Sequence, residues 1–306
     1  MSVTPKIKVR KLKHSLLNKE DRNLLLFILI PVVIYIFGVQ GINFLWAAIL
    51  SLTSETTIRG IGDFIGFKNY INLFKDSIYQ ETMLFTLIYV IGTIIPKLLL
   101  GLLMALTLNK PLKGQNIYRS LLFLPWALPT FTSALTWRWM FSDIGGVVNY
   151  LLMKVGFIDY PIGWLGTITL ARISVITVNI WRGVPFFGIT ILAALQSISN
   201  NLYEAAEIDG ATEWKSFWYI TLPSIKSVVI LVSIVSAIWT IGDFSLIWLM
   251  TRGGPINATH VFSTYSYIEA FHNLNIGKGI AINLSIVPFL IVFITLSMRY
   301  IFSSEN

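Results

Sequence analysis

Cysteine is absent from the 306 residues, so the chain has neither a disulfide framework nor thiol chemistry, and nothing about its compartment follows from cysteine usage. Charge is scarce as well. Asp, Glu, Lys and Arg make up 12% of the chain against 55% hydrophobic residues, and a soluble domain of this length could not hide that much apolar surface from water. The three histidines, His14, His260 and His272, are unclustered and outside the apolar runs, so no metal-ligand spacing arises. No G-x-x-x-x-G-K-[ST] loop occurs either, which excludes a phosphate-cradling ATPase of that type.

What the sequence does have is long apolar runs. Six reach the roughly 20 helical residues that a hydrocarbon core takes: Leu24–Leu50, Met83–Leu108, Tyr118–Phe141, Thr169–Leu195, Ile225–Met250 and Gly279–Phe302. Helix is the expected state, because a helix satisfies its own backbone polar groups, whereas barrel strands alternate over only about ten residues. The first run is too long for a signal peptide and lacks a small-residue cleavage site, so it is expected to be retained. The expected fold is therefore all-α and polytopic, with a tail over residues 1–23 and one membrane domain over residues 24–306.

The net charge of +8 is unevenly placed. Lys6, Lys8, Arg10, Lys11, Lys13, Lys19 and Arg22 crowd the tail. Lys110, Lys113 and Arg119 follow in the second connection, Lys215 and Lys226 in the fourth, and Arg299 at the C-terminal end. The other connections hold only Arg59, Lys68, Lys75, Lys154, Arg252 and Lys278, scattered over longer loops. Short cationic loops stay cytoplasmic, so both termini and the second and fourth connections are expected in the cytoplasm. Topology and anionic membrane lipid account for the basic tail better than its rival, a nucleic-acid-binding arm, and no nucleic-acid partner is expected.

Several runs contain helix breakers: Pro31, Pro96, Pro125, Pro129, Pro185 and Pro288. Ordinary kinks are expected at Pro31 and Pro288. Pro185 follows Asn179, Trp181, Arg182 and Gly183, which predicts a broken helix beside a polar cavity. Thr251-Arg252-Gly253-Gly254-Pro255 reads as a sharp stop after the fifth run.

Charges inside a membrane line a pathway or pair internally. Lys97, Arg172, Arg182 and Asp243 are the candidates; Arg138, between Trp137 and Trp139, suits the interface, and Arg172 can snorkel. Asn179, Arg182, Gly183 and Phe186 share one face at i, i+3, i+4, i+7 spacing, and Ser236, Trp239, Thr240 and Asp243 repeat it on the next run. Two such stripes suit a sugar, whose hydroxyls need donors and acceptors and whose apolar face packs on rings. The competing reading is a polar helix–helix interface without ligand, with Arg182 and Asp243 paired to each other.

Between the fourth and fifth runs, residues 199–223 form a polar, acidic loop. Ser199 or Asn200 caps a short helix through Leu202, Tyr203, Ala205, Ala206 and Ile208, and Gly210 stops it. A second helix is expected from Thr212 until Pro223, packed by Trp214, Phe217 and Trp218. Glu204, Glu207 and Asp209 are expected to favour the N-terminal half of the first helix and to meet a basic rim on a partner.

The pattern Glu204-Ala205-Ala206, Asp209-Gly210 and the closing Leu222-Pro223 resembles the EAA loop of ABC-importer permease subunits. The likeness extends over nearly the whole chain, through Phe67-Lys-Asn-Tyr70, Phe123-Leu-Pro-Trp126, Trp137-Arg-Trp139, Asn179-Ile-Trp-Arg-Gly183, Leu195-Gln-Ser-Ile198, Leu202-Tyr-Glu-Ala-Ala206 and Thr251-Arg-Gly-Gly-Pro255. It narrows to the carbohydrate-uptake branch related to the maltose permease. The resemblance implies a type I importer permease fold with six transmembrane helices in the bacterial-type cell membrane, and import of sugars, oligosaccharides foremost, by alternating access.

The partners it implies are a second, different permease subunit, two cytoplasmic ATP-binding subunits that hold ATP and Mg, and an extracytoplasmic solute-binding protein. This chain would be a transport subunit with no cofactor of its own and no catalytic residues. Glu204, Ala205, Ala206, Asp209, Gly210, Leu222 and Pro223 would couple to the ATPase. Asn179, Arg182, Gly183, Phe186, Ser236, Trp239, Thr240 and Asp243 would line the sugar site. Three positions depart from the maltose-type pattern: Arg182 stands for an aliphatic residue, Asp243 for an amide and Phe186 for a tyrosine.

Other classes fit less well. A proton- or sodium-coupled carrier normally has more spans and several ion-binding carboxylates in them; here Asp243 alone lies well inside a run. A membrane-embedded enzyme lacks a metal or catalytic cluster, and import of another polar solute is the alternative within the class.

Overall fold

The computed structural model describes residues 19–54, 60–111 and 113–303. The tail cations from Lys6 to Lys13, and Arg59, lie outside the described residues. Apart from one isolated bridge between Thr53 and Phe64, the regular structure among the described residues is helical. Five helices are long and apolar enough to cross a membrane.

The first, α1 (Asn23–Ser51), is apolar around its whole circumference. Three residues after Pro31 it passes into a π stretch, Ile34–Gly41. Proline removes one i→i−4 bond, and a wider turn is one way for a helix to absorb that loss.

The remaining chain, from Leu50, forms a second compact unit. In order it contains α2 (Lys68–Leu73), α3 (Ser77–Asn109), α4 (Gln115–Ala127), α5 (Thr130–Met140), α6 (Val147–Lys154), α7 (Ile168–Gln196) and α8 (Asn200–Ile208). These are followed by α9 (Glu213–Ile241), α10 (Phe244–Met250), α11 (Phe262–Tyr267) and α12 (Ile276–Tyr300).

The third expected span, Tyr118–Phe141, is two helices rather than one. Pro129 forces the residue before it out of the helical region, and Leu128 adopts φ −70 and ψ 137, separating α4 from α5. The fifth expected span also breaks, at Gly242-Asp243, where α9 ends and Asp243 caps α10 by accepting from the Leu246 N–H. Pro185, by contrast, lies buried inside an uninterrupted α7, so the expected break there does not occur.

Helices α3 and α7 make the most extensive pairing in the unit. They run in the same direction, because Gly92 faces Ile176, Gly101 faces Phe187 and Gly188 faces Met104. Small residues let the backbones approach, as in other membrane helix pairs. A Cβ on Gly101 would lie 2.4 Å from the Phe187 Cβ and 3.0 Å from the Gly188 nitrogen.

This seam organises the interior into layers. Toward the N-terminal ends of α3 and α7, an apolar cluster includes Phe85, Tyr89, Val175, Val178, Leu246 and Met250. Toward their C-terminal ends a second includes Ala105, Leu108, Phe187, Ile191, Leu195 and Ile225. Lys97 and the segment 179–186 fall between the two, so the polar layer has apolar packing above and below.

Near the start of α3 the structure builds an ionic knot. Asp76 caps α3 through the Ile78 and Tyr79 N–H groups. Its carboxylate also accepts from Tyr265 at 2.6 Å and from Lys278 at 2.8 Å, while Lys278 reaches Glu269 at 3.0 Å. Burial pushes the Asp76 carboxyl up, but the hydrogen bonds from Lys278 and Tyr265 outweigh it and hold the pKa below the usual value. Arg172 pairs with Glu81 and donates to the Ala258 carbonyl at 2.9 Å. Arg138 is exposed and donates to the Leu249 carbonyl at 3.2 Å.

Candidate functional site

A cavity of about 450 Å³ opens in the polar layer between α3, α7, α9 and the α4–α5 break. All eight residues singled out from the two sequence stripes line it: Asn179, Arg182, Gly183 and Phe186 from α7, and Ser236, Trp239, Thr240 and Asp243 from the α9 side. The stripes therefore do face a common space. The spacing argument fails for Asp243 alone, because α9 ends at Ile241 and the carboxylate is presented by the break rather than by a helix face.

One wall is aromatic. The Phe186 ring stacks with Trp126 at 6.1 Å and 11°, and meets Trp239 at 5.0 Å and 46°. Much of the rest of the lining is polar. Asp243 Oδ2 accepts from Tyr89 at 3.0 Å and from Asn179 at 2.9 Å, and its Oδ1 accepts from the Leu246 N–H at 3.3 Å. Lys97, buried in α3, donates to the Ser236 hydroxyl at 3.3 Å and the Thr240 hydroxyl at 3.5 Å.

The expected alternative pairing of Arg182 with Asp243 is not formed. Among the described residues the ion pairs are Arg172–Glu81, Lys278–Asp76 and Lys278–Glu269. The Arg182 Nε is buried without a hydrogen-bond partner, as is the Asn179 side-chain oxygen. Buried polar atoms are ordinarily satisfied, so these two stand out in the cavity wall.

Sequence periodicity missed several lining residues. Lys97 stood out as an intramembrane charge, but its position against Gly183 follows from the close α3–α7 seam: a Cβ on Gly183 would lie 2.4 Å from the Lys97 Cε. Trp126 and Thr130 flank the α4–α5 break and reach the cavity because the chain turns there. The Phe123-Leu-Pro-Trp126 motif was their one available signal. Tyr89, which does not line the cavity but donates to Asp243, gave none, since an aromatic residue in an apolar run reads as core.

The 199–223 loop is a helical hairpin at the far end of α7 and α9. Gly210 takes φ +73, with its N–H donating to Glu207 at 3.0 Å and the Ala211 N–H reaching back to Ala206 at 2.8 Å. This is the left-handed helix stop expected from the sequence. Ser199 occupies the N-cap position of α8 without a side-chain capping bond.

Glu204, Glu207 and Asp209 sit in the middle and at the C-terminal end of α8 rather than in its first turn. The helix dipole does not favour them there. Glu204, Ala205, Asp209, Gly210 and Pro223 are exposed, with Ala206 and Leu222 half-buried.

The second arm also differs from expectation. It does not end at Pro223 but continues as one helix from Glu213 to Ile241, through a π stretch at Phe217–Thr221. Pro223 falls two residues past that stretch, in the first turn of the α segment that follows, where a missing N–H is tolerated. Trp214, Phe217 and Trp218 pack on one another with centroids 5.4–6.2 Å apart. Tyr203 of α8 shares a hydrogen bond with Thr221 at 2.9 Å, tying the two arms together.

Long apolar helices around a polar, part-aromatic cavity, with a structured hairpin at one end, define a multi-pass membrane transport subunit. The chain belongs to the family of binding-protein-dependent transport system inner membrane components, whose model matches residues 97–304. It is 33% identical over 294 residues to the trehalose/maltose transport system permease protein MalF of Thermococcus litoralis, covering 95% of this chain and 94% of that protein. It is 36% identical over 233 residues to the sulfoquinovosyl glycerol transport system permease protein SmoG of Agrobacterium fabrum, covering 76% and 74%. Among solved structures, a chain of a bacterial ABC transporter involved in the import of the acidic polysaccharide alginate superposes with TM-score 0.78 at 23% identity, over 92% of this chain and 96% of that one. That likeness concerns the fold.

Proposed function

We propose that this chain is one half of the pore of an ATP-driven, binding-protein-dependent saccharide importer, and that the cavity between α3, α7 and α9 is its sugar path. The carrying observation is the cavity itself, whose lining combines a cluster of aromatic rings with amide, hydroxyl and charged groups. Relatives named for trehalose/maltose and for a sulfoquinovosyl glycerol support the saccharide class. In this reading α4 and α5, joined at Leu128-Pro129, together make the sixth crossing. Both termini and the 199–223 hairpin face the cytoplasm, as the cationic connections favour.

A second, different permease completes the pore, two cytoplasmic subunits bind ATP and Mg, and an extracytoplasmic binding protein delivers the sugar. Glu204, Ala205, Ala206, Asp209, Gly210, Leu222 and Pro223 form the surface that meets the ATPase. Its closure is converted into alternating access by rigid-body motion of the helices.

The test is uptake of radiolabelled mono- and oligosaccharides into liposomes carrying the whole transporter and its binding protein. Uptake should require ATP on the hairpin side and cease without the ATPase subunits. Uptake driven by an ion gradient without ATP, or ATP-driven uptake of amino acids and of no saccharide, would overturn the proposal.

A further inference from the structure

The ionisable side chains that line the cavity are Lys97, Arg182 and Asp243, two cations against one carboxylate. The carboxylate is already served by neutral donors: the Tyr89 phenol, the Asn179 amide and the Leu246 N–H. Among the described residues neither cation forms a close ion pair, and the single Asp243 charge, which acts on both, leaves one positive charge unmatched. Lys97 reaches only the hydroxyls of Ser236 and Thr240, at 3.3 and 3.5 Å. The Arg182 Nε is buried with nothing to donate to. A guanidinium held in a membrane interior without an anion is costly, and such groups ordinarily pair or line the path of a matching solute.

We propose that the cavity takes a saccharide bearing an anionic group (a carboxylate, sulfonate or phosphate), which the Arg182 guanidinium and the Lys97 ammonium receive while the sugar ring packs against Phe186 and Trp239. The guanidinium offers the bidentate fork that suits planar and tetrahedral oxyanions alike. The Lys97 ammonium, seated over Gly183, supplies a second point charge beside it. The Asp243 carboxylate, held by Tyr89 and Asn179, is left to accept from sugar hydroxyls. This inference rests on the saccharide reading above and adds the charge of the substrate to it.

Pairs of radiolabelled saccharides that differ only in the charged group test it: an oligouronide against its carboxyl-reduced counterpart, a 6-sulfonated or 6-phosphorylated sugar against the free sugar. Uptake is measured in liposomes holding the complete transporter and binding protein. At least one charged member should enter at least about tenfold faster than its neutral partner, the size expected of a charge-assisted contact. The pair that responds identifies which oxyanion is carried.

Arg182→Gln should bring that ratio close to one, and Arg182→Lys should keep part of it, with co-purification of the ATPase subunits confirming assembly of both. Faster uptake of the neutral member in every pair would overturn the proposal, since the cations would then be matched by groups outside this chain. An unchanged charged preference in Arg182→Gln would overturn it as well. If no saccharide enters at all, the saccharide reading fails first and this inference with it.

Discussion

Tyr89 and Asp243 are joined by a 3.0 Å hydrogen bond in which the phenol donates to the carboxylate, tying α3 to the break between α9 and α10. Removing one partner of such a bond leaves the other partly unserved, at a cost of about 1–3 kcal/mol. Tyr89→Phe should therefore lower the thermal midpoint of the purified protein and reduce saccharide uptake, with the chain still inserted. Asp243→Asn keeps the shape but removes the charge, and should alter substrate preference. Unchanged uptake and unchanged preference in that variant would point to a helix interface rather than a sugar contact.

Gly183 and Gly101 sit on one seam and should respond differently to a methyl group. At Gly183 the obstacle is the Lys97 side chain, at 2.4 Å, which can swing away. Gly183→Ala should leave the unfolding midpoint nearly unchanged yet reduce transport several-fold, because the ammonium is displaced from the cavity. At Gly101 the obstacles are the Phe187 Cβ and the Gly188 backbone. Gly101→Ala should separate α3 from α7 and destabilise the protein by about 1–3 kcal/mol.

Gly210 holds φ +73 with open space around it. Proline, locked near φ −65, cannot occupy that conformation. Gly210→Pro should leave the protein in the membrane while abolishing sugar-stimulated ATP hydrolysis. Gly210→Ala, which meets only backbone strain of about 1–2 kcal/mol, should retain partial coupling. Full transport by the assembled proline variant would remove the hairpin from the coupling role.

His260 gives a pH signature. Its ring packs on Gly253, and burial pushes its pKa down from 6.5 to about 4. Between those values the unfolded chain binds a proton that the folded chain refuses. Stability should thus be fully present above pH 6.5 and decline as the pH falls through that window, by up to about 1.4 kcal/mol per pH unit. His260→Gln should flatten this slope in thermal unfolding measured from pH 7 to pH 4.5. Asp76 does not interfere, because its pKa lies below 3.8 and its contribution is lost only at lower pH.

The parts of the site that a single helix face could express were legible beforehand. Asn179, Arg182, Gly183 and Phe186 follow one helical period, and so do Ser236, Trp239 and Thr240; both sets reach the cavity. Gly210 was legible because only a left-handed stop explains glycine between two helical patterns.

What stayed hidden depends on non-local packing or on breaks that hydropathy averages over. Trp126 looks like core until the Leu128-Pro129 turn brings it to the cavity, whereas Tyr89 is core and reaches the site only through its hydrogen bond to Asp243. Pro185 and Pro223 misled in the opposite direction. Both read as interruptions, yet α7 runs straight through the one, and a widened turn lets α9 run through the other.

The unbroken course of α9 has a mechanical consequence. Trp214 and Trp218, at the exposed end, stand on the same rod as Ser236 and Thr240 in the cavity wall, about 27–39 Å away at 1.5 Å per residue. No flexible joint intervenes, only the wider coil at Phe217–Thr221. If the hairpin couples to an ATPase as proposed, torque applied there would arrive at the hydroxyls facing Lys97 as a rotation of the cavity wall itself, making the helix crankshaft and lining at once.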